Sequence, residues 1–371
     1  MSSPIAQASL AAGPTDTRFY SPQLDGLRFL AALLVFIHHG PPLPILDAVK
    51  PYGWAGVDMF LSISAFLITR LILLEHERTG GFSLRSFYIR RALRIWPLYL
   101  TYATAVCILT LVAGVLDARL AGAWWLSHIS FTNNVMTAIK GYSPVVFSSH
   151  LWTISLEEQA YLIMPLLLAA FIQGGKRPLN AMLFCLGGII VLILARSGLV
   201  LIGAPHPFIW VLPLRSDAFL LGALAAILTQ QHRRIATPGL FAAGVLLVAT
   251  LPLFPPIDQA DSYQVFGYTV LALGCTSIVL ASERSDVARR TLGCAPLRYL
   301  GKISYGIYVY HLAAIVASMR ALQHFGITSG PAIFVAALCL TVATAALSYR
   351  ILERPFLLLK GRYTLVRSRP A

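Results

Sequence analysis

Between residues 24 and 352 long apolar runs alternate with short polar breaks, and each run is continuous for about 20 residues rather than apolar at every second position. At 1.5 Å of rise per residue, about 20 residues make a helix that crosses a hydrocarbon layer about 30 Å thick. A membrane barrel would show alternating segments of about 10 residues instead. Ten spans are predicted, at 24–40, 54–74, 93–115, 151–172, 180–202, 211–229, 237–254, 264–282, 299–320 and 331–352. The stretch 122–136 is also apolar, but it is short and interrupted by polar residues. Trp124 and Trp125 suit the headgroup layer, so this segment is predicted to lie at the interface.

Loop charges set the orientation. With the N-terminus inside, the inner segments hold eighteen Lys and Arg residues, and the outer ones only Lys50, Arg119, Lys140 and, at a span edge, Arg320. An eleventh span at 122–136 would destroy that contrast, so ten spans with both termini cytoplasmic are expected. Composition agrees: 57% of the 371 residues are hydrophobic and 12% charged, where a soluble domain has about 25% charged. The expected fold class is an all-α integral membrane protein. The net charge of +14 then reads as positive-inside anchoring, and no nucleic-acid partner is expected.

Residues 1–23 lack a basic segment followed by an apolar core and read as a disordered tail rather than a signal peptide. Residues 24–356 form one transmembrane domain and 357–371 a basic cytoplasmic tail, with no second soluble domain. The five cysteines are scattered, with no CxxC and no histidine cluster nearby, which points to neither a disulfide framework nor a metal site. No internal repeat is visible, which counts against an inverted-repeat transporter.

Ionisable groups inside spans are costly and face a cavity or a partner. The first span carries Arg28 near its inner end and His38 and His39 near its outer end. Eleven residues, roughly 16 Å of helix, separate Arg28 from His39, so each needs its own partner. The second span places Asp58 in its outer half and Ser64 near its middle. The fourth begins with His150, Trp152, Glu157 and Glu158, the sixth with Arg215 and Asp217. The ninth runs outward with Lys302, Ser304 and Tyr305 low and His311 near the middle. Polar groups of five spans thus gather at mid-to-outer depth. Arg215 and Asp217 either form an Arg–Asp pair that staples helices or line a site, and His311 is either a packing residue or a pocket residue. Glu157 beside His38 or His39 would orient an imidazole as a general base.

On the inner side, "FSLRSFYIRRALRIWPLYL" sets Arg85, Arg90, Arg91 and Arg94 among aromatics. Positive-inside anchoring accounts for part of this cluster. Arg91 and Arg94 are also an i, i+3 pair on one helix face, and paired guanidiniums suit phosphate oxygens. Phosphate recognition inside and acid–base groups further out suit a phosphate-bearing donor that enters from the cytoplasm and delivers a group outward.

The chain resembles the membrane acyltransferase 3 family, the O-acyltransferases of the polysaccharide and macrolide type. The resemblance runs through "LDGLRFLAALLVFIHH", "GVDMFLSISAFL", "FYIRRALRIWPLYL", "LWTISLEEQAYLIMP", "LGKISYGIYVYH" and "LERPF". It implies transfer of an acyl group, usually acetyl, from acetyl-CoA or another acyl-CoA to a hydroxyl of a saccharide, glycolipid or macrolide acceptor, with no metal. By the same resemblance, Arg28 and His39 match the Arg and His of the family's first span, and Arg91 and Arg94 match its CoA-binding pair. Glu157 matches its acidic residue, and Ser304, Tyr305, Tyr308 and His311 match its SYxxYxxH stretch. His39, Glu157 and Arg28 are therefore the expected catalytic residues, with Arg91 and Arg94 on the donor. Asp58, Ser64, Trp152, Arg215, Asp217, Ser304, Tyr305 and His311 are candidates for the substrate pocket.

Two departures stand out. Ala65 replaces the glycine common in the second motif, and no esterase-like C-terminal domain follows, which makes peptidoglycan a less expected acceptor. The rival reading is a proton-coupled carrier of a sugar or lipid-linked substrate, with intramembrane His, Glu and Arg as its relay.

Overall fold

Every predicted apolar run contains a helix in the computed structural model, which describes residues 19–173, 178–205, 210–211, 213–231, 237–253 and 262–363. The helices are α1 (Pro22–His39), α2 (Ala55–Thr79), α3 (Leu84–Val112), α4 (Ala118–Ile129), α5 (Asn133–Lys140), α6 (Trp152–Gln173), α7 (Pro178–Leu201) and α8 (Asp217–Gln231). Then follow α9 (Thr237–Ala249), α10 (Ser262–Arg284), α11 (Asp286–Thr291), α12 (Ala295–Lys302), α13 (Ser304–His324), α14 (Gly330–Ser348) and α15 (Arg354–Lys360). No strand occurs among the described residues. Six helical stretches there are long and apolar enough to cross a membrane, or up to seven if the bent pair α12–α13 counts as one span. That is the make-up of a multi-pass membrane protein. Most of the expected tails, 1–18 and 364–371, lie outside the described residues.

Three of the predicted segments differ in shape from their expectation. The sixth and seventh runs yield helices of only 15 and 13 residues, about 22 and 20 Å long and so short of a full crossing. In the sixth, Pro213–Arg215 forms a 3-10 turn ahead of α8, because Pro213 cannot donate a helical N–H. The ninth run is not one rod: it bends by 70° at Ile303 between α12 and α13. Lys302 therefore belongs to a separate short helix, where its ammonium lies 5.1 Å from the centre of the Tyr349 ring. The bend is anchored at Gly301, whose missing side chain lets α12 press against the backbone of Asp25 in α1, and Ser304 Oγ donates to Gly301 O at 3.0 Å.

The segment expected at the interface folds as the helical hairpin α4–α5, laid along α3. Trp125 Nε1 donates to Thr104 at 3.1 Å, and one turn deeper Phe131 stacks on Tyr99 with centroids 4.9 Å apart. Tyr99 lies near the midpoint of α3, so the hairpin tip packs against the middle of that helix. Trp124 is buried and only Trp125 is open to the surroundings. The polar residues that suggested a surface location satisfy one another: His128 Nδ1 meets Asn133 at 3.1 Å, Ser155 donates to Asn133, and Asn134 Nδ2 donates to Gln159 at 3.0 Å. Buried polar groups are tolerated when paired in this way.

The bundle is organised around α1 and α2. Close approach at the level of Ala65 is provided from the facing helix: a Cβ on Gly222 of α8 would lie 2.6 Å from Ser62 O and 2.9 Å from the Ala65 methyl. The glycine absent from the second motif thus has a counterpart across the interface. Thr276 Oγ1 of α10 donates to Ser62 Oγ at 3.2 Å and ties a third helix to the pair.

Candidate active site

One mouth of the bundle is built by the turn between α2 and α3. Gly80, at a φ of 71°, ends α2 in the left-handed conformation. Ser83 then caps α3 by accepting from Ser86 N–H. Glu75, buried at the end of α2, accepts from Ser83 N–H and from Arg90, both at 3.1 Å. This fixes the first turn of α3, so that Arg90, Arg91 and Arg94 line one cavity together with Arg28 of α1 and Lys360 of α15. The cavity encloses about 920 Å³ of empty volume. The predicted Arg91–Arg94 pair therefore does share a space, and Arg28 joins it, whereas Arg85 is exposed.

Above the mouth lies a second cavity of about 450 Å³, lined by Arg28, Thr153, Glu157, Ser304, Tyr305 and Tyr308. The two cavities meet at Arg28, which lines both, and at Ser64, which lines the mouth and donates to Glu157 Oε1 at 2.9 Å. Tyr161 also donates to Glu157, and the Arg91 guanidinium lies 5.1 Å from the Tyr161 ring centre. Glu157 is thus linked to the arginine cluster through one tyrosine. Ser304 and Tyr305 mainly hold the backbone: Tyr305 Oη donates to Ile95 O at 3.0 Å.

The histidines form a group of their own. His39 Nδ1 lies 3.0 Å from Val35 O, and His311 Nδ1 lies 2.5 Å from Tyr308 O. A carbonyl can only accept, so both Nδ1 atoms carry the proton. His311 Nε2 is then a lone pair, 3.3 Å from His39 Nδ1. The His39 N–H is shared between Val35 O and His311, which leaves His39 Nε2 as an unprotonated lone pair. The ring of His150 stacks edge-on against His311 at 4.6 Å, and its Nε2 donates to Val309 O at 3.1 Å. Tyr308 connects this group to the cavity below, because its hydroxyl lies 2.5 Å from Thr153 Oγ1 and donates to His150 O at 2.9 Å.

Two expectations are corrected here. Glu157 does not orient His39; its hydrogen bonds go to Ser64 and Tyr161, and the orienting groups are Val35 O and His311. Arg215 does not pair with Asp217 two residues away. Arg215 is bound to Asp58 of α2, and Asp217 to Arg196 of α7, which also donates to Leu214 O and Val265 O. The Arg215 guanidinium lies 3.7 Å from the Trp210 ring centre and 5.0 Å from that of Trp54, and Trp152 packs against Trp210. Asp58, Arg215, Asp217 and Trp152 are therefore held in helix packing and line neither of the two cavities described.

Sequence reasoning missed Glu75, Tyr161, Arg196 and Lys360. Arg196 was discoverable, since a lone arginine inside "VLILARSGLVL" needs a buried partner. Lys360 offers no signal beyond one more positive charge in the tail. Among the described residues no group of three or more His, Cys, Asp or Glu is arranged to hold a metal ion.

The same constellation is set in a wider likeness. The chain is 27% identical over 359 residues to the peptidoglycan O-acetyltransferase OatA of Listeria monocytogenes, covering 91% of this chain and 56% of that protein. It is 26% identical over 357 residues to a protein of Staphylococcus aureus named "Putative O-acetyltransferase", and 26% over 366 residues to "Putative peptidoglycan O-acetyltransferase YrhL" of Bacillus subtilis. The chain spans little more than half the length of these relatives, 55% to 57%. No solved structure matches it. The pattern that defines the acyltransferase 3 family, described as an acyltransferase domain, matches residues 21–350 and so takes in α1 to α14, and the chain belongs to that family.

Proposed function

We propose that this chain is an O-acetyltransferase of the bacterial inner membrane that moves an acetyl group from cytoplasmic acetyl-CoA to a saccharide hydroxyl at the outer face. One observation carries the reading. The arginine-lined mouth and the cavity beneath Tyr308 adjoin at Arg28 and at the Ser64–Glu157 hydrogen bond, and Tyr308 leads on to the histidines. A donor held by its phosphates at Arg91 and Arg94 then has a way inward for its thioester arm. Guanidinium forks suit those phosphates, and the positive-inside charge pattern supports a cytoplasmic mouth.

In this mechanism His39 Nε2 takes the proton of the acceptor hydroxyl, and the oxygen attacks the thioester carbonyl. The Arg28 guanidinium, which lines both cavities, lies on the donor's path rather than beside His39 and guides the thioester arm inward. The C–S bond then breaks, and the proton on His39 returns to the leaving sulfur. During the proton's stay the imidazolium is steadied by Val35 O and His311 through Nδ1–H. The relatives' names point to cell-wall saccharides, and we extend that acceptor class, a glycan hydroxyl, to this chain.

The test uses purified protein in nanodiscs with [14C]acetyl-CoA and a peptidoglycan-derived oligosaccharide. Label should pass to the glycan in proportion to free CoA released. A protein that transports the oligosaccharide but never cleaves the thioester would be the proton-coupled carrier instead.

A further inference from the structure

We infer that Lys360, on the C-terminal helix α15, is a phosphate-binding residue of the donor site; this rests on the acyl-CoA reading above. The three α3 arginines at the mouth are not equivalent. Arg90 is occupied at both ends of its guanidinium: Nη2 is paired with Glu75 at 3.1 Å, and Nη1 donates to Tyr363 O at 2.7 Å. Arg90 is therefore a clasp, and what it clasps is the chain just beyond α15.

That clasp explains how a tail residue comes to line the cavity. After α14 the helix loosens into a π-turn at Tyr349–Glu353, and Pro355 opens α15 in its first turn, where a missing N–H costs nothing. α15 then runs back along α3, and the Arg90–Tyr363 bond holds its far end down, so that Lys360 reaches the cavity wall with Arg91 and Arg94. The two acids on that wall are engaged already, Glu75 by Arg90 and Asp25 by the Tyr20 hydroxyl at 3.0 Å. Counted over its lining, the cavity holds five cations, Arg28, Arg90, Arg91, Arg94 and Lys360, against the two acids Asp25 and Glu75, and that excess of positive charge suits a ligand bearing several phosphates. An ammonium on a flexible stem serves such a group as a point charge, while the arginines supply the planar forks. α15 lies beyond residue 350, where the family match ends, so Lys360 belongs to no part of the shared pattern.

The test is CoA titration by calorimetry on the full chain in nanodiscs, with wild type, Lys360→Ala, Lys360→Arg and Arg362→Ala. Arg362 is an exposed tail charge outside the cavity lining. Lys360→Ala should raise the CoA Kd roughly three- to tenfold, as expected for one partly screened charge-assisted contact. Lys360→Arg should restore most of the affinity, and Arg362→Ala should match wild type. Unfolding temperatures within a degree or two of each other show that α15 stays folded. Unchanged affinity in Lys360→Ala overturns the inference, as does an equal loss in Arg362→Ala, which would mean diffuse attraction. Wild type that fails to bind CoA at all removes the donor reading itself, a result distinct from either.

Discussion

Replacing His311 with Phe removes the Nε2 acceptor 3.3 Å from His39 Nδ1 while keeping a ring of similar size at a buried site. Val35 O still fixes the His39 tautomer, so the ground state changes little. The loss falls on the transition state, in which His39 is an imidazolium and its Nδ1–H bond becomes charge-assisted. Such bonds contribute about 1.5–3 kcal/mol; this one is long and shared with a carbonyl, so the lower end, about 1.5 kcal/mol, applies. That is about a tenfold drop in kcat. KM for acetyl-CoA should be unchanged, because the proposed phosphate site lies at the other end of α1. Release of CoA, followed with a thiol reagent at saturating acceptor, measures both constants. His311→Gln, which keeps an accepting oxygen, should fall between Phe and wild type. A kcat for His311→Phe within twofold of wild type, or a raised KM at constant kcat, would refute the proposed support of His39.

The other consequences are more local. Lys at both Arg91 and Arg94 keeps the charge but loses the forks, so donor KM should rise several-fold and the remaining affinity should become more salt-sensitive; equal affinity at two salt concentrations would make the pair an anchor only. Glu157→Gln keeps an acceptor for Ser64 and Tyr161 but removes the charge beyond Tyr161 from Arg91, and is expected to raise donor KM; a pure kcat effect would return Glu157 to the histidines. Asp58→Ala strands the buried Arg215 and should cost about 3–5 kcal/mol of stability, read as a lower unfolding temperature in detergent; unchanged stability would contradict the packing role.

How much of this was legible in the chain depends on distance. Hydrophobic run length located the helices, and i, i+3 spacing brought Arg91 and Arg94 to one cavity, because both follow from local geometry. Partner choice does not. Arg215 takes Asp58, 157 positions away, over Asp217 beside it, since neighbours on one helix end point to different helices. The break at Ile303 was hidden because the apolar pattern runs through it without Pro, and the cause, the contact of Gly301 with α1, is tertiary. The packing of α4–α5 was hidden likewise: His128, Asn133 and Asn134 look like surface residues until their partners on α3 and α6 are seen. The role given to Glu157 rested on depth along one helix, whereas its neighbours Ser64 and Tyr161 turn it toward the donor side.

On the proposed route an acetyl group passes through this bundle from the arginine-lined mouth to an acceptor served by His39. Proteoliposomes of known orientation test it, with [14C]acetyl-CoA supplied only on the arginine-lined face and a saccharide acceptor only on the opposite face. Wild type should label the acceptor across the membrane, and His39→Ala, inserted to the same level, should not. Equal labelling by His39→Ala, or labelling only when donor and acceptor share one compartment, would contradict the account.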